Sequence, residues 1–521
     1  GDWSALVAYT RRDGHEQETH GDINSPDVRR TEANPQDIES NSVLARLVFE
    51  PSDMHRFRLT ADYGDRSSVT EVLSGRATLP PDGPVLGATS VIDLDGLDES
   101  ERNRVTLDYR FTNEGGLIDQ AFIAIYAQRS TLSEFSAEDR NTAADRTRLT
   151  TFDNDVAGLS TQARSRFSTG SMEHTLIFGA DYSVLSQEGV RSGLAPPVGE
   201  TFPTMPFPPT DFTQTGVFIQ DQIDFLDGRV SFFPALRYDA FEIDPNANVL
   251  YPLAIAGSDG SRVTPRFGVV VWPTQTFGVF FNYAEGFRAP SPSEVNNAFA
   301  NPAQGYTSIP NPNLKPETSE SLELGIRFRE VSLFGADLRA SANVFGSWYD
   351  DFIDREQFGN FGDPAIFQFI NRSEVEISGF ESRADFTWAN GFGFSAAFSY
   401  AEGSASTGGV SAPLESIEPW RLVTGLSYND PDGRWGGQLI GTYSSKKSER
   451  DTGVAVIPDA FAILDATAYW NITDAATLRV GVFNLTDEKY WWWNDVRGVT
   501  TQVDAYTQPG RNFSASIAYR F

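Results

Sequence analysis

Few of these 521 residues have side chains suited to holding a ligand or a metal. There are 4 His and no Cys, which excludes disulfides, thiolate metal sites and Cys nucleophiles. Tyr306 offers a phenolate, a group that can hold iron, or else an ordinary aromatic contact. His15 and His20 share one polar stretch with Glu16, Glu18 and Asp22. Imidazole is a common metal ligand, but this spacing fits no compact zinc motif, and two solvated loop histidines account for the same residues. Arg288 carries a planar fork of donors suited to a ligand carboxylate. Its alternative role is an ion pair with an inward carboxylate, Glu285 or Glu323. Trp491, Trp492 and Trp493 can stack on a flat substrate or pack together as a loop or interfacial cluster. The carboxylates of Asp93-Leu-Asp-Gly-Leu-Asp-Glu99 lack the calcium-loop pattern and are expected in a solvated acidic loop. His55 and His174 stand beside short turns and are expected to be structural.

No Ser/His/Asp order, phosphate loop or dinucleotide fingerprint occurs in a strand-to-helix context, so no enzyme is expected. The net charge of -30 argues against a nucleic-acid partner, which needs clustered Lys and Arg.

The elements that must position these residues are strands. The stretch from Phe287 to Pro316 is a loop rich in Pro, Asn, Ser and Gly, in which Asn311 and Asn313 can cap turns. Glu317 to Arg329 then alternates. Leu322, Leu324, Ile326 and Phe328 fall on one face; Glu323, Gly325, Arg327 and Arg329 fall on the other. About 20 such segments recur along the chain. Short turns such as Glu50–Asp53, Leu226–Arg229 and Asn471–Asp474 join them in alternation with long polar connections at 13–40, 76–101, 189–210, 244–260, 287–316 and 487–507. No run of 18 apolar residues exists, so no transmembrane helix is expected. Short turns on one rim and long loops on the other are the asymmetry of a membrane barrel. The expected fold is all-β: a transmembrane antiparallel up-and-down β-barrel occupying residues 1–521 as one domain, greasy face to lipid and charged face to lumen. The opening Gly-Asp-Trp-Ser, with no initiator Met or signal sequence, is expected to be an internal start.

Three closing segments and one inner segment resemble a known family. Asn484-Leu-Thr-Asp-Glu-Lys-Tyr490, Gln508-Pro-Gly-Arg-Asn-Phe513, the terminal Tyr519-Arg-Phe521 and Asn311-Pro-Asn-Leu-Lys-Pro-Glu-Thr318 are similar to the barrels of TonB-dependent outer-membrane receptors. Phe287-Arg-Ala-Pro290 paired with Asn311-Pro-Asn-Leu314 is similar to the FRAP and NPNL boxes of haem and haemoglobin receptors. Tyr349–Ile353 and Tyr490–Gly498 resemble that subfamily too.

The resemblance implies a 22-stranded barrel filled by an N-terminal plug. With about 20 strands counted and no plug sequence ahead of them, the expectation is that the plug and the first two strands lie outside these residues. It further implies active transport of haem, taken from haemoglobin-type proteins and energised by the TonB-ExbB-ExbD complex through the plug. The barrel would sit in Gram-negative outer-membrane lipid and lipopolysaccharide. Haem would be cargo, with no cofactor permanently bound. The implied ligand-binding residues are Phe287, Arg288, Ala289, Pro290, Asn311, Pro312, Asn313 and Leu314, with Tyr306 between the boxes. Tyr306, His15 and His20 are the candidate haem-iron ligands. The family commonly places an axial His between the boxes, and Ser291 to Pro310 contains none. Two alternatives follow: a ferric-siderophore or other nutrient receptor of the same class, and a passive porin-like or surface-binding barrel.

Overall fold

The structure, a computed structural model, describes residues 2–301, 305–360, 363–407, 409–447, 456–499 and 503–521. Among them, 23 strands form one sheet. Three are short pieces at the outer mouth: Ala300–Asn301, Tyr306–Ser308 and Val410–Pro413. The others make an up-and-down meander in which each strand pairs antiparallel with the next, from Trp3–His15 to Asn512–Tyr519. Among the described residues the first strand pairs only with Gln36–Ser52 and the last only with Ala476–Phe483. At the outer end the loops beyond these two strands meet. The His20 backbone N–H donates to Thr507 Oγ1 at 2.7 Å, and its Nε2 lies 3.2 Å from the Glu488 carbonyl.

Register explains the two faces. Leu47, Leu59, Leu107, Ile125, Leu159 and Tyr182 stand level on six successive strands. Their exposure of 39% to 58% marks the outer wall. One residue along, the chain faces inward and is polar: Arg58 Nε meets the buried Asp108 at 2.6 Å, and Ser160 Oγ donates to Asp181 at 2.7 Å. The 317–329 segment behaves as its alternation predicts. Leu322, Leu324 and Ile326 are exposed, and Leu324 stands level with Val344, Phe380 and Tyr400. Glu323 points the other way and accepts from Asn282 Nδ2 at 2.9 Å. Trp435 faces Trp470 in register beside the short turns, and Tyr428 stacks against Trp435 at 4.9 Å, as an interfacial girdle requires. One two-residue turn, Phe334-Gly335, has φ of 53° and 73°, the doubly left-handed pair whose twist suits such a hairpin.

No helix among the described residues is long and apolar enough to cross a membrane; strands do the crossing.

Several boundaries differ from the sequence expectation, most widely on the long-loop side. Asp93–Glu99 lies inside the strand Val91–Thr112, not in a loop, and Asp93 pairs with Arg76. The strands Gln120–Arg140 and Arg146–Thr169 continue as a tall hairpin with a five-residue tip. The strand Met172–Leu194 reaches six residues into the 189–210 connection. The cause is solvent. Roughly 9–11 residues of a strand cross the bilayer. Beyond that, water bathes both faces, so the apolar alternation stops while the backbone ladder continues.

Lipid facing sets a testable asymmetry. Ile125→Arg should destabilise the barrel by about 2–4 kcal/mol, while Thr106→Arg, on the inward face of the adjoining strand, should cost less than half of that. Urea titration of the barrel in lipid vesicles measures both, and equal losses would contradict this facing.

Candidate ligand-binding site at the outer mouth

The strand Phe277–Arg288 carries the first box up to the rim. There Arg288 stands opposite Glu317 in register. Its Nε donates to Glu317 Oε2 at 2.7 Å and its Nη2 to Oε1 at 2.8 Å, a bidentate pair. Its Nη1 reaches both oxygens of Glu294 at 3.1 Å. The partners are therefore Glu317 and Glu294, not Glu285 or Glu323. Glu285 is held by Arg262 at 3.2 Å and Tyr283 Oη at 2.9 Å.

Glu294 has a second role. Ser291 caps the helix Pro292–Asn296, and Glu294 accepts from the Ser291 N–H at 2.7 Å, closing a capping box with Pro292 in the first turn. Below the cap, Val295 and Leu314 are buried with Phe212, Phe241, Ile243 and Ile353, and Phe287 and Ala289 pack on that cluster. Pro290 is fully buried. Asn296 bonds both backbone groups of Ala256, at 3.0 and 2.8 Å, and its carbonyl accepts from Tyr251 Oη at 2.9 Å. The Ala298 N–H reaches the Pro206 carbonyl at 2.8 Å. Three connections, 195–209, 246–257 and 289–316, are thereby knitted into one cap. Beneath it opens an inward cavity of about 970 Å³ lined by Arg237, Asp239, Glu285 and Arg288 among others.

The second box is stitched to the tall strand Asp363–Trp388. Asn311 Nδ2 donates to the Phe369 carbonyl at 2.8 Å, and Asn311 Oδ1 receives the Asn313 N–H at 3.1 Å, a turn cap. Asn371 bonds the Lys315 N–H and carbonyl, each at 2.9 Å. Leu314 is buried, while Pro312 and Asn313 are exposed. The structure thus brings both boxes to one apolar cluster, with Leu314 in its core and Phe287 and Ala289 packed against it.

Tyr306 lies between them. Its ring contacts Phe299 at 5.8 Å and meets Phe367 edge-on at 5.7 Å, and its hydroxyl accepts from Asn301 at 3.4 Å. His15 and His20 are held by other neighbours. His15 Nδ1 lies 2.9 Å from the Glu16 carbonyl, and His20 faces Glu488 and Thr507. Among the described residues no group of three or more His, Asp or Glu side chains is placed to hold a metal ion. His55 and His174 stay at the short-turn rim, bonded to Tyr109 at 2.8 Å and Asp221 at 2.7 Å.

The Trp run packs against its own loop and against neighbouring strand ends. Trp493 is 2% exposed, Trp492 lies against Phe461 at 5.0 Å under the Arg421 guanidinium at 4.3 Å, and Trp491 Nε1 donates to the Val503 carbonyl at 2.9 Å.

Four mouth residues escaped the sequence reading: Arg191, Phe299, Arg355 and Phe367. The Arg191 guanidinium sits 4.5 Å over Phe299, and that of Arg355 sits 4.9 Å over Phe367. Tyr306 joins the two rings. The available signal was an Arg at each of two strand ends beyond bilayer reach.

Removing the clamp should be costly. Arg288→Ala leaves the nearly buried Glu317 unpaired. With the Arg288 side chain 44% exposed, the loss should be about 2 kcal/mol, below that of a wholly buried pair. Glu317→Gln added to it should recover part of the melting temperature, and purely additive losses would refute the coupling. A second test concerns Glu418, beside the Trp cluster. Burial raises its carboxyl pKa above the ordinary value, and Arg421 at 3.9 Å offsets this in part. A folded-state pKa raised above the unfolded one stabilises at low pH, and that contribution is lost as pH rises through the folded value. The melting temperature of the wild type should therefore fall, relative to Glu418→Gln, from mildly acidic to neutral pH; a relative rise would refute it.

Comparison with known proteins agrees with this architecture. The family model described as TonB dependent receptor-like, beta-barrel matches residues 45–485. A probable hemoglobin and hemoglobin-haptoglobin-binding protein of Haemophilus influenzae is 28% identical over 298 residues, 49% of this chain and 29% of that protein. The hemoglobin-haptoglobin utilization protein B of Neisseria meningitidis serogroup C is 27% identical over 298 residues, 48% of this chain and 36% of that protein. The match therefore spans about a third of each relative's length. Among solved structures, the copper transporter OprC superposes with a TM-score of 0.75 at 16% identity, covering 99% of this chain and 76% of that one. The Serratia marcescens hemophore receptor HasR, in complex with its hemophore HasA and heme, gives 0.73 at 16% identity, covering 99% and 76%. At such identities the solved structures speak for the fold alone, and the family model covers most of the meander. The chain belongs to the TonB-dependent receptor β-barrel family, the strand-built receptors of the Gram-negative outer membrane.

Proposed function

We propose that this chain is the barrel of a receptor that takes up haem from haemoglobin-type proteins, energised through TonB. The observation that carries this is the likeness of about half the chain to proteins named for hemoglobin binding and for hemoglobin-haptoglobin utilization. The mouth is consistent with it. Both boxes build the cap, and Tyr306 sits between them with aromatic neighbours. The cap frames the entrance, and Phe287, Arg288, Ala289, Pro290, Asn311, Pro312, Asn313 and Leu314 hold that frame in place. Tyr306 meets the cargo; its phenolate, or the imidazole of His15 or His20, is the iron ligand this chain can offer. Haem is transported and no resident cofactor is invoked. In the whole receptor a plug filling the lumen couples to TonB-ExbB-ExbD.

One observation favours a second reading. The interval from Ser291 to Pro310 has no His, which suits a ferric siderophore or another nutrient as cargo. Titrating the full-length receptor with haem and following the Soret band separates the two. Saturable binding is expected, and Tyr306→Phe should alter the visible spectrum of the ferric complex if the phenolate is a ligand. An unresponsive Soret band together with saturable binding of a ferric siderophore would sink the haem reading.

A further inference from the structure

Arg191 stands near the end of the strand Met172–Leu194, well beyond the 9–11 residues that cross a bilayer. Tyr182 on this strand faces outward in the lipid belt, so Arg191, an odd number of residues away, faces the mouth. It is fastened by its backbone, which exchanges two 2.8 Å hydrogen bonds with Thr204. Its guanidinium lies between Phe299 at 4.5 Å and Phe202 at 5.9 Å, with Glu200 at 3.6 Å. From Phe299 the rings of Tyr306 and Phe367 continue at 5.8 and 5.7 Å, and Arg355 closes the far end at 4.9 Å from Phe367. The column is braced by its backbone, because the Ile309 N–H donates to the Phe367 carbonyl at 2.9 Å.

The two ends of this column differ. At the Arg191 end the neighbouring strand Arg146–Thr169 brings Arg146 and Arg148 inward, at 3.4 and 3.7 Å from the two oxygens of Glu138. Three guanidiniums thus share Glu138 and Glu200. Arg140 lies alongside, its backbone N–H given to Asp145 at 3.0 Å. Burial, with the charge of Arg148 adding to it, holds the Arg146 and Arg191 guanidiniums below their ordinary pKa even against these carboxylates. In a chain of net charge -30, an inward patch with more guanidiniums than carboxylates is a local reversal of sign. Such a patch attracts anions, and guanidinium forks suit carboxylates. The half-buried aromatic rings beside it suit a flat ring system.

We propose that Arg146, Arg148 and Arg191 receive the carboxylates of a flat aromatic ligand whose ring system lies along Phe299, Tyr306 and Phe367. The proposal rests on the haem reading above and names the groups that recognise its acidic edge. It is tested on the full-length receptor in detergent, titrated with haem and with haem dimethyl ester, which keeps the ring and lacks the carboxylates. The wild type should prefer haem. Arg148→Gln, on the more exposed member of the patch, should weaken haem binding about tenfold, the loss of roughly one charged hydrogen bond, and leave the ester unchanged. Arg355→Gln, at the other end of the column, should keep the wild-type ratio of the two affinities. A wild type that binds haem and ester equally, or an Arg148→Gln that weakens both alike, overturns the carboxylate patch while leaving the haem reading standing. A wild type that binds neither overturns both.

Discussion

The constraint on which this structure depends is that hydrocarbon offers no partner for an amide. A chain that crosses it as strands must satisfy its N–H and C=O groups on neighbouring strands, so each crossing must lie beside the next and run the other way. The meander follows from this rule, and so does the sorting of side chains. With the backbone spent on pairing, period two alone decides which residues meet lipid and which meet the lumen. Leu107 and Asp108 are adjacent in the chain, yet one is half exposed on the outer wall and the other is buried against Arg58.

Above the bilayer the constraint changes, and the mouth is built by other means. Ladders continue as tall hairpins, and the connections between them are joined by discrete polar contacts over a small apolar cluster. Arg288 is central there because it ties the end of one strand to the start of the next through Glu317, and to the capped helix through Glu294. The Glu317 Oε1 also receives the Ile353 N–H at 2.6 Å, so a third strand joins the same clamp. The aromatics Phe299, Tyr306 and Phe367 inherit their positions from this frame.

The parts of this architecture legible in the sequence are those where two different media meet. Leu322, Leu324, Ile326 and Phe328 stand out because lipid lies on one side of the strand and a polar lumen on the other. Asp93 to Glu99 do not stand out, since water on both sides removes the pattern while the ladder persists. Arg191 was hidden for the same reason, in a stretch that resembles a loop. Its ring partner Phe299 comes from a connection that only folding brings near. The partners of Arg288 were partly readable. Ser291-Pro-Ser-Glu294 has the spacing of a capping box, and Glu317 is the residue that strand register sets opposite Arg288. The carboxylates expected from the sequence, Glu285 and Glu323, are held by Arg262 and Asn282. The Phe287–Pro290 and Asn311–Leu314 boxes come together at the outer mouth, where Phe287, Ala289 and Leu314 pack into the cap.

Glu294 closes the helix cap through Oε2 and grips Arg288 with that oxygen and with Oε1. Unwinding the helix would strip the guanidinium of one counter-charge, and pulling the guanidinium away would uncap the helix. The two ends of the contact share one fate, so the cap behaves as a lintel, not as a curtain. It carries load between the strands it spans, and a force applied to one of its three connections reaches the wall of the barrel undivided.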